Sequence, residues 1–309
     1  MNLNNLIKYI SIVAIFLISF QIKANDCQRL FSQGAIEQAE KACTQISQLA
    51  EKDSDEYFWS QFILFDIAHY LGKQEQAYEQ LLKISEHSLN TDIQYELLRR
   101  QGHYYRLKKR FQYAQSYYLE ALVIAEKQQN QNKLAKSYND VGLIYLKEYK
   151  YQQSLEYFTK SLDIKKQLNN KVLIRSTLTN IGLLSYKTGD YQTALGYYQE
   201  AEEILNQLEQ TQNNSAVVEN QRVHLYSYLA AIYEKLNDYN QRDAYLMQLE
   251  DGIAKIKNDK EVQNRYLNLV EILIDMDSFY VAKRAIEKVN LELKNPHDNN
   301  AQLYYQLSY

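Results

Sequence analysis

Few residues in this chain are of a type and spacing that could do chemistry. The five histidines, His69, His87, His103, His224 and His297, show neither an HExxH motif nor paired metal-ligand spacing. The two cysteines, Cys27 and Cys43, do not form a CxxC, and the sequence holds no GxxxxGK phosphate loop and no GxSxG elbow. Asp and Glu are plentiful but spread along periodic segments, where a charge usually faces solvent. The expectation is a non-enzymatic chain with no catalytic residues, cofactor or metal. One basic trio stands out. Arg99, His103 and Arg106 follow i, i+4, i+7 and would share one face of a helix. Such a stripe can hold an acidic peptide segment or a C-terminal carboxylate, or it can be solvated beside Glu96.

The scaffold that carries these residues is repetitive. Gly102, Gly142 and Gly182 recur at intervals of 40, and nine positions after each stands an aromatic, Phe111, Tyr151 or Tyr191, followed by a glutamine. Small residues come next (Ala114, Ser154, Ala194), then aromatic pairs (Tyr117-Tyr118, Tyr157-Phe158, Tyr197-Tyr198), then Ala121, Ser161 and Ala201. A fixed period of this length marks a stacked array of one supersecondary unit. Apolar residues at Val141, Ile144 and Tyr145, then at Leu155, Phe158 and Leu162, fall at helical spacing and predict two helices per unit, about 135–149 and 151–168. A single proline and eight glycines in 309 residues cannot furnish the turns of an all-β fold. The small positions mark close helix approach, and most of the 29 tyrosines are read as packing residues beside them.

Weaker copies extend the array to about seven helix pairs, the strongest being 95–134, 135–174 and 175–208. Upstream units are marked by Phe65 with Ala77, and by Cys27, Ile36, Ala39 and Cys43. Downstream, Ala230 lies 48 rather than 40 residues after Gly182, and the polar stretch Gln210–Asn220 reads as a longer surface loop. Val270, Phe279 and Ala282 mark the next unit, and an eighth begins at about residue 298. The first 24 residues are of another kind. Lys8, the apolar run Tyr9–Phe20 and the small Ala24 resemble a secretory signal peptide, so residues 25–309 would be the exported, most simply periplasmic, solenoid. The run falls short of the roughly 20 residues of a membrane span, an uncleaved anchor being the alternative, and no later segment is apolar enough to cross. Losing Lys8 and Lys23 takes the formal net charge from −3 to −5, which disfavours nucleic acid as a partner. Two cysteines in an exported chain suggest a disulfide; two buried thiols are the other reading.

In Gly142-Leu143-Ile144-Tyr145 with Tyr151-Gln152-Gln153-Ser154, and in Gly182-x-x-Ser185 with Gly189-Asp190-Tyr191-Gln192-x-Ala194, the sequence resembles the tetratricopeptide repeat in its longer-period form. The resemblance implies an all-α right-handed superhelix, an α-solenoid, whose first helices line a concave groove. With Gly142 at repeat position 8, Cys27 falls at position 8 and Cys43 at position 24 of the first hairpin. These positions face each other, so a disulfide with Cα atoms about 4.4–6.8 Å apart is expected there. The groove positions of the family fall on Arg99, His103 and Arg106, on Asn139, Leu143 and Leu146, and on Thr179, Leu183 and Tyr186. Asn139 and Asn180 resemble the asparagines that repeats of the kinesin-light-chain type place on a ligand backbone, a task suited to a carboxamide's donor and acceptor. The family's two-carboxylate clamp is not reproduced. The implied function is a protein- or peptide-binding scaffold in the cell envelope; the partner and the oligomeric state stay open. A leader followed by such repeats also resembles the sensor half of membrane-bound diguanylate cyclases and histidine kinases, which would make the chain a detached or truncated sensor module.

Overall fold

The computed structural model describes residues 24–87, 89–211, 215–254, 269–270, 273–274 and 276–292. Apart from Ala24, the leader lies outside the described residues, as do Pro296 and the start of the eighth unit. Thirteen helices and no strand occur among the described residues. They are α1 (Ala24–Ser32), α2 (Ile36–Leu49), α3 (Asp55–Tyr70), α4 (Gln74–Ser85), α5 (Thr91–Leu107), α6 (Phe111–Gln128), α7 (Gln131–Lys147), α8 (Tyr151–Gln167), α9 (Lys171–Lys187), α10 (Tyr191–Thr211), α11 (Ser215–Lys235), α12 (Tyr239–Ala254) and α13 (Phe279–Glu292). They belong to two compact units, the first built from α1–α4 and the second from α5–α13.

Turn chemistry sets the phase of the hairpins. Gly34, Gly72, Lys109, Tyr149, Gly189, Asn237 and Asp277 all have φ between 53° and 82°, the left-handed conformation that stops a helix. The last five are spaced 40, 40, 48 and 40 apart, so the offset read from the sequence is present in the backbone. At the third of these turns Arg110 N–H donates to Tyr105 O (2.9 Å) and Lys109 N–H to Arg106 O (3.0 Å), the paired bonds of a Schellman motif. The same pair closes the turns at Gly34, Tyr149, Gly189, Asn237 and Asp277. Glycine is therefore dispensable at most of them, because the motif satisfies the last carbonyls of each first helix whatever side chain stands there.

Between hairpins a second repeated device starts the next first helix. The side-chain oxygens of Asn90, Asn130 and Asn170, 40 residues apart, accept from the backbone N–H of Ile93 (3.0 Å), Lys133 (3.2 Å) and Leu173 (3.1 Å). Each is an N-cap that satisfies one of the free donors at a helix start. Gln129 and Asn169 take the left-handed conformation immediately before two of these caps, so one helix ends and the next begins within two residues.

Within the hairpins the glycines admit a ring. A Cβ added at Gly102, Gly142 or Gly182 would lie 2.6, 2.7 or 2.8 Å from the ring of Tyr118, Phe158 or Tyr198 respectively. All three rings are buried. At the other small positions of the fourth hairpin Ser154 Oγ donates to Gly142 O (2.9 Å) and Ser161 Oγ to Ala135 O (2.6 Å), which lets a hydroxyl be buried where its equivalents are alanine. In the first hairpin the slot of glycine and ring is taken by Cys27 and Cys43, joined as a disulfide with Cα atoms 5.4 Å apart.

One expectation is corrected. Gln210–Asn220 is not a loop from end to end: α10 continues to Thr211 and α11 opens at Ser215, each 21 residues long against 17 for α9, and residues 212–214 lie outside the described residues. The extra residues lengthen two helices. Gln and Glu are good helix formers, and the stretch contains neither Gly nor Pro, so polarity alone does not break it.

Candidate functional site

Inside the second unit the first helices α5, α7 and α9 touch one another in sequence, and each also packs on its own second helix. The polar side chains that α5, α7 and α9 turn toward each other form a strip across three repeats. The basic trio lies on it, but not as a free stripe. Arg99 Nε donates to Asp140 Oδ2 at 2.7 Å, and an Arg99 terminal nitrogen lies 3.8 Å from Glu96 Oε2. Arg100 pairs with the same Glu96 oxygen at 2.5 Å. Arg106 lies 3.2 Å from His103 Nδ1, and its Nε is buried without a hydrogen-bond partner. Arg99 is thus a tie between adjacent first helices, and Arg106 with His103 continues the α5 face beside it. Burial opposes the charge on Glu96, but Arg100, Arg99 and Lys136 more than offset it and hold the carboxyl below its usual range.

The two asparagines meet. Asn180 Nδ2 donates to Asn139 Oδ1 at 2.9 Å, and Thr177 Oγ1 lies 3.3 Å from the same oxygen. Beneath them the ammonium of Lys165, on α8, donates to Thr177 Oγ1 at 2.6 Å. Lys165 is 2 % exposed, and burial pulls its amine down to about 8, with Asp140 opposing and Arg99 and Lys136 reinforcing that shift. Lys136, half-buried on α7, is also lowered by burial, against Glu96. In this arrangement Asn139 Oδ1 is committed inward, which leaves its Nδ2 as a donor and Asn180 Oδ1 as an acceptor on the same half-buried face.

Other predicted groove residues are placed differently. Leu143 and Leu183 are half-buried and pack against the main core cluster, while Thr179 is half-buried with its hydroxyl bonded back to Arg175 O at 3.0 Å. Leu146 and Tyr186 do not line a groove: they are only 6 % and 4 % exposed, within that core cluster. Tyr186 Oη donates to Met276 O at 2.6 Å and lies 3.4 Å from Ser278 Oγ, so the turn before α13 covers it. Asp140, Lys136, Lys165 and Thr177 were missed by reading each helix alone. Their signal is diagonal: Arg99 to Asp140 and Asn139 to Asn180 are both 41 residues apart, one repeat plus one. No group of acidic, histidine or cysteine side chains suited to a metal occurs among the described residues, and none of the helices searched among them is long and apolar enough to cross a membrane.

Residues 94–167 and 133–207 match the family model described as tetratricopeptide repeat. No curated protein matches the chain in sequence. Among solved structures, the apo quorum sensor NprR from B. thuringiensis is similar with a TM-score of 0.58 at 15 % identity, over 92 % of this chain and 79 % of that one. NprR in complex with its cognate peptide NprX gives a TM-score of 0.55 at 17 % identity, over 92 % and 82 %. BtubC from P. vanneervenii gives 0.52 at 18 % identity, over 75 % and 94 %. At these identities the likeness is one of fold. With the 40-residue turns and the ring-filled glycines, the family match identifies residues 94–207 as tetratricopeptide repeats.

Proposed function

We propose that the protein is a non-enzymatic scaffold of the cell envelope that holds an extended peptide segment of a partner along the face of α5, α7 and α9. The observation that carries this reading is the Asn139–Asn180 pair. Its internal bonding leaves one donor and one acceptor side by side, the complement of a peptide backbone's C=O and N–H. The pair is braced from below by Thr177 and Lys165, so little ordering is left to be done on binding. NprR, a structure of the same fold, has been solved with its cognate peptide NprX, which supports a peptide as the kind of ligand. Placement in the envelope rests on the leader-like first 24 residues and on the Cys27–Cys43 disulfide, a bond that persists in oxidising compartments. Release of the oxidised chain by osmotic shock tests it; retention with the cytosolic fraction would contradict it.

The binding reading is tested by selecting a random dodecapeptide library on the immobilised full chain. Enriched peptides should lose about ten-fold or more in affinity to Asn139→Ala/Asn180→Ala, since two backbone hydrogen bonds are worth about 1–3 kcal/mol together. Failure to enrich any sequence, or affinities unchanged in the double variant, would refute it.

A further inference from the structure

Two hairpin tips of the second unit are built from the residues that suit a tip, and two neighbouring tips are not. Where α9 turns into α10, Gly189 takes the left-handed position (φ 82°) and Asp190 caps the new helix, its Oδ1 accepting from Thr193 N–H at 3.1 Å. Where α11 turns into α12, Asn237 (φ 59°) and Asp238 do the same, with Gln241 N–H donating at 3.1 Å. Gly and Asn adopt this conformation most easily, and an aspartate at the cap suits the positive end of the helix. At the two preceding tips the equivalent pairs are Lys109-Arg110, with φ 57° at Lys109, and Tyr149-Lys150, with φ 59° at Tyr149. Neither Arg110 nor Lys150 makes a side-chain cap, and each puts a cation where the helix N-terminus is already positive.

The four locally unfavourable choices have one shared result. Residues 108–113 and 147–153 carry five basic side chains, Lys108, Lys109, Arg110, Lys147 and Lys150, all exposed, and one acidic side chain, Glu148. The tips at 187–193 and 235–241 carry one charge of each sign. Tyr149 is 76 % exposed and Tyr113, in the first turn of α6, 59 %. Both rings are held in place: Tyr113 stacks on Tyr105 with centroids 5.4 Å apart, and Tyr149 meets Tyr151 edge-on at 6.3 Å. Because α6 packs on α7, the two hairpins are neighbours in the stack, and equivalent positions of neighbouring hairpins lie along one edge. That edge is an exposed row of cations with tyrosines among them.

We propose that this edge docks on a bilayer surface rich in anionic phospholipid, its lysine and arginine side chains on the phosphates and Tyr149 and Tyr113 at headgroup depth. Charge complementarity identifies the anion. The tyrosines identify the bilayer: a ring with an apolar body and a polar hydroxyl is favoured at a membrane–water boundary, whereas a soluble polyanion calls for the cations alone. Local rules are broken twice at each of two adjacent tips, always toward a cation or an exposed ring, as expected where function overrides stability. The tips lie beyond the ends of α5 and α7, away from the Asn139–Asn180 pair, so docking there does not depend on peptide binding.

The test is flotation of the full chain with vesicles of phosphatidylcholine alone, or of phosphatidylcholine with about a third phosphatidylglycerol. Binding to the mixed vesicles should be about ten-fold or more tighter, and should weaken between about 0.05 and 0.5 M salt. The quadruple variant Lys109→Asn/Arg110→Asp/Tyr149→Gly/Lys150→Asp installs at these tips the pairs found at 237–238 and 189–190. It should lose the preference and melt at a higher temperature than the wild type, so the loss cannot come from misfolding. Because the apolar run Tyr9–Phe20 can enter a bilayer by itself, Tyr149→Trp reports on the tip directly. Its emission, corrected for Trp59 with the wild type, should shift to the blue on mixed vesicles. Equal binding to both vesicles, a preference that survives the quadruple variant, a lower melting temperature of that variant, or unmoved emission in Tyr149→Trp would each overturn the proposal. Binding to polyphosphate without binding to vesicles would also overturn it, making the partner a soluble polyanion.

Discussion

A lysine amine that titrates near 8 instead of 10.5 costs the fold about 3 kcal/mol to keep charged at neutral pH, since each tenfold change in a proton equilibrium is about 1.4 kcal/mol. Lys165 is held at that cost with a hydroxyl as its only hydrogen-bond partner among the described residues, where an apolar side chain of similar volume would fill the same space. Lys165→Met is therefore predicted to raise unfolding stability at pH 7, by up to about 3 kcal/mol, read from urea midpoints. The sign follows from linkage. The folded amine binds its proton less tightly than the unfolded one, so the wild type gains stability as pH rises from 8 to 10.5, and the gap to the variant should close across that window. A destabilised variant, or a gap independent of pH, would contradict the assignment. Residues that weaken the fold are often found where function requires them, and Lys165 lies directly beneath the Asn139–Asn180 pair through Thr177. None of this was legible from spacing. A lysine on a second helix looks like any solvated charge until the following first helix is laid against it, and only then does Thr177 become its neighbour.

At the scale of the helix pair, the repeat pattern stated its own packing rule. Gly142 and Phe158 are 16 residues apart, and the ring lies where a Cβ would be, 2.7 Å away. Gly142→Ala should cost about 1–3 kcal/mol through overpacking, more than the gain in helix propensity returns, and adding Phe158→Leu should recover part of it. A neutral or stabilising Gly142→Ala would mean that the pair separates easily and that the glycine serves something else. The hairpins, their 40-residue phase and the 48-residue offset could be read from glycines, aromatics and small residues, because those contacts are local and recur. Two features escaped. The caps at Asn90, Asn130 and Asn170 carry the same period but sit among ordinary polar residues. Tyr186 occupies a position that faces the groove in the family, yet its hydroxyl is bonded 90 residues away at Met276. A contact of that range depends on how later hairpins return over α9, which no local pattern encodes.

Across the molecule, the left-handed turn residues from Gly34 to Asp277 mark seven hairpins, and the candidate peptide site is confined to three first helices of the second unit. The candidate site was legible in part: Arg99, Asn139 and Asn180 could be named from the repeat phase, while the side chains they meet, Asp140 for Arg99 and Thr177 with Lys165 for Asn139, come from neighbouring helices. Repeat proteins distribute recognition in this way, since each hairpin contacts only its neighbours and a ligand must span several of them. Hence the decisive measurement is where a bound peptide lies. With a library-selected peptide at saturation, amide and side-chain NMR shifts in the full chain should concentrate on α5, α7 and α9, with the largest changes in the side-chain amides of Asn139 and Asn180. Shifts confined to the second helices α6, α8 and α10, or to α1–α4, with those two amides unmoved, would contradict the account.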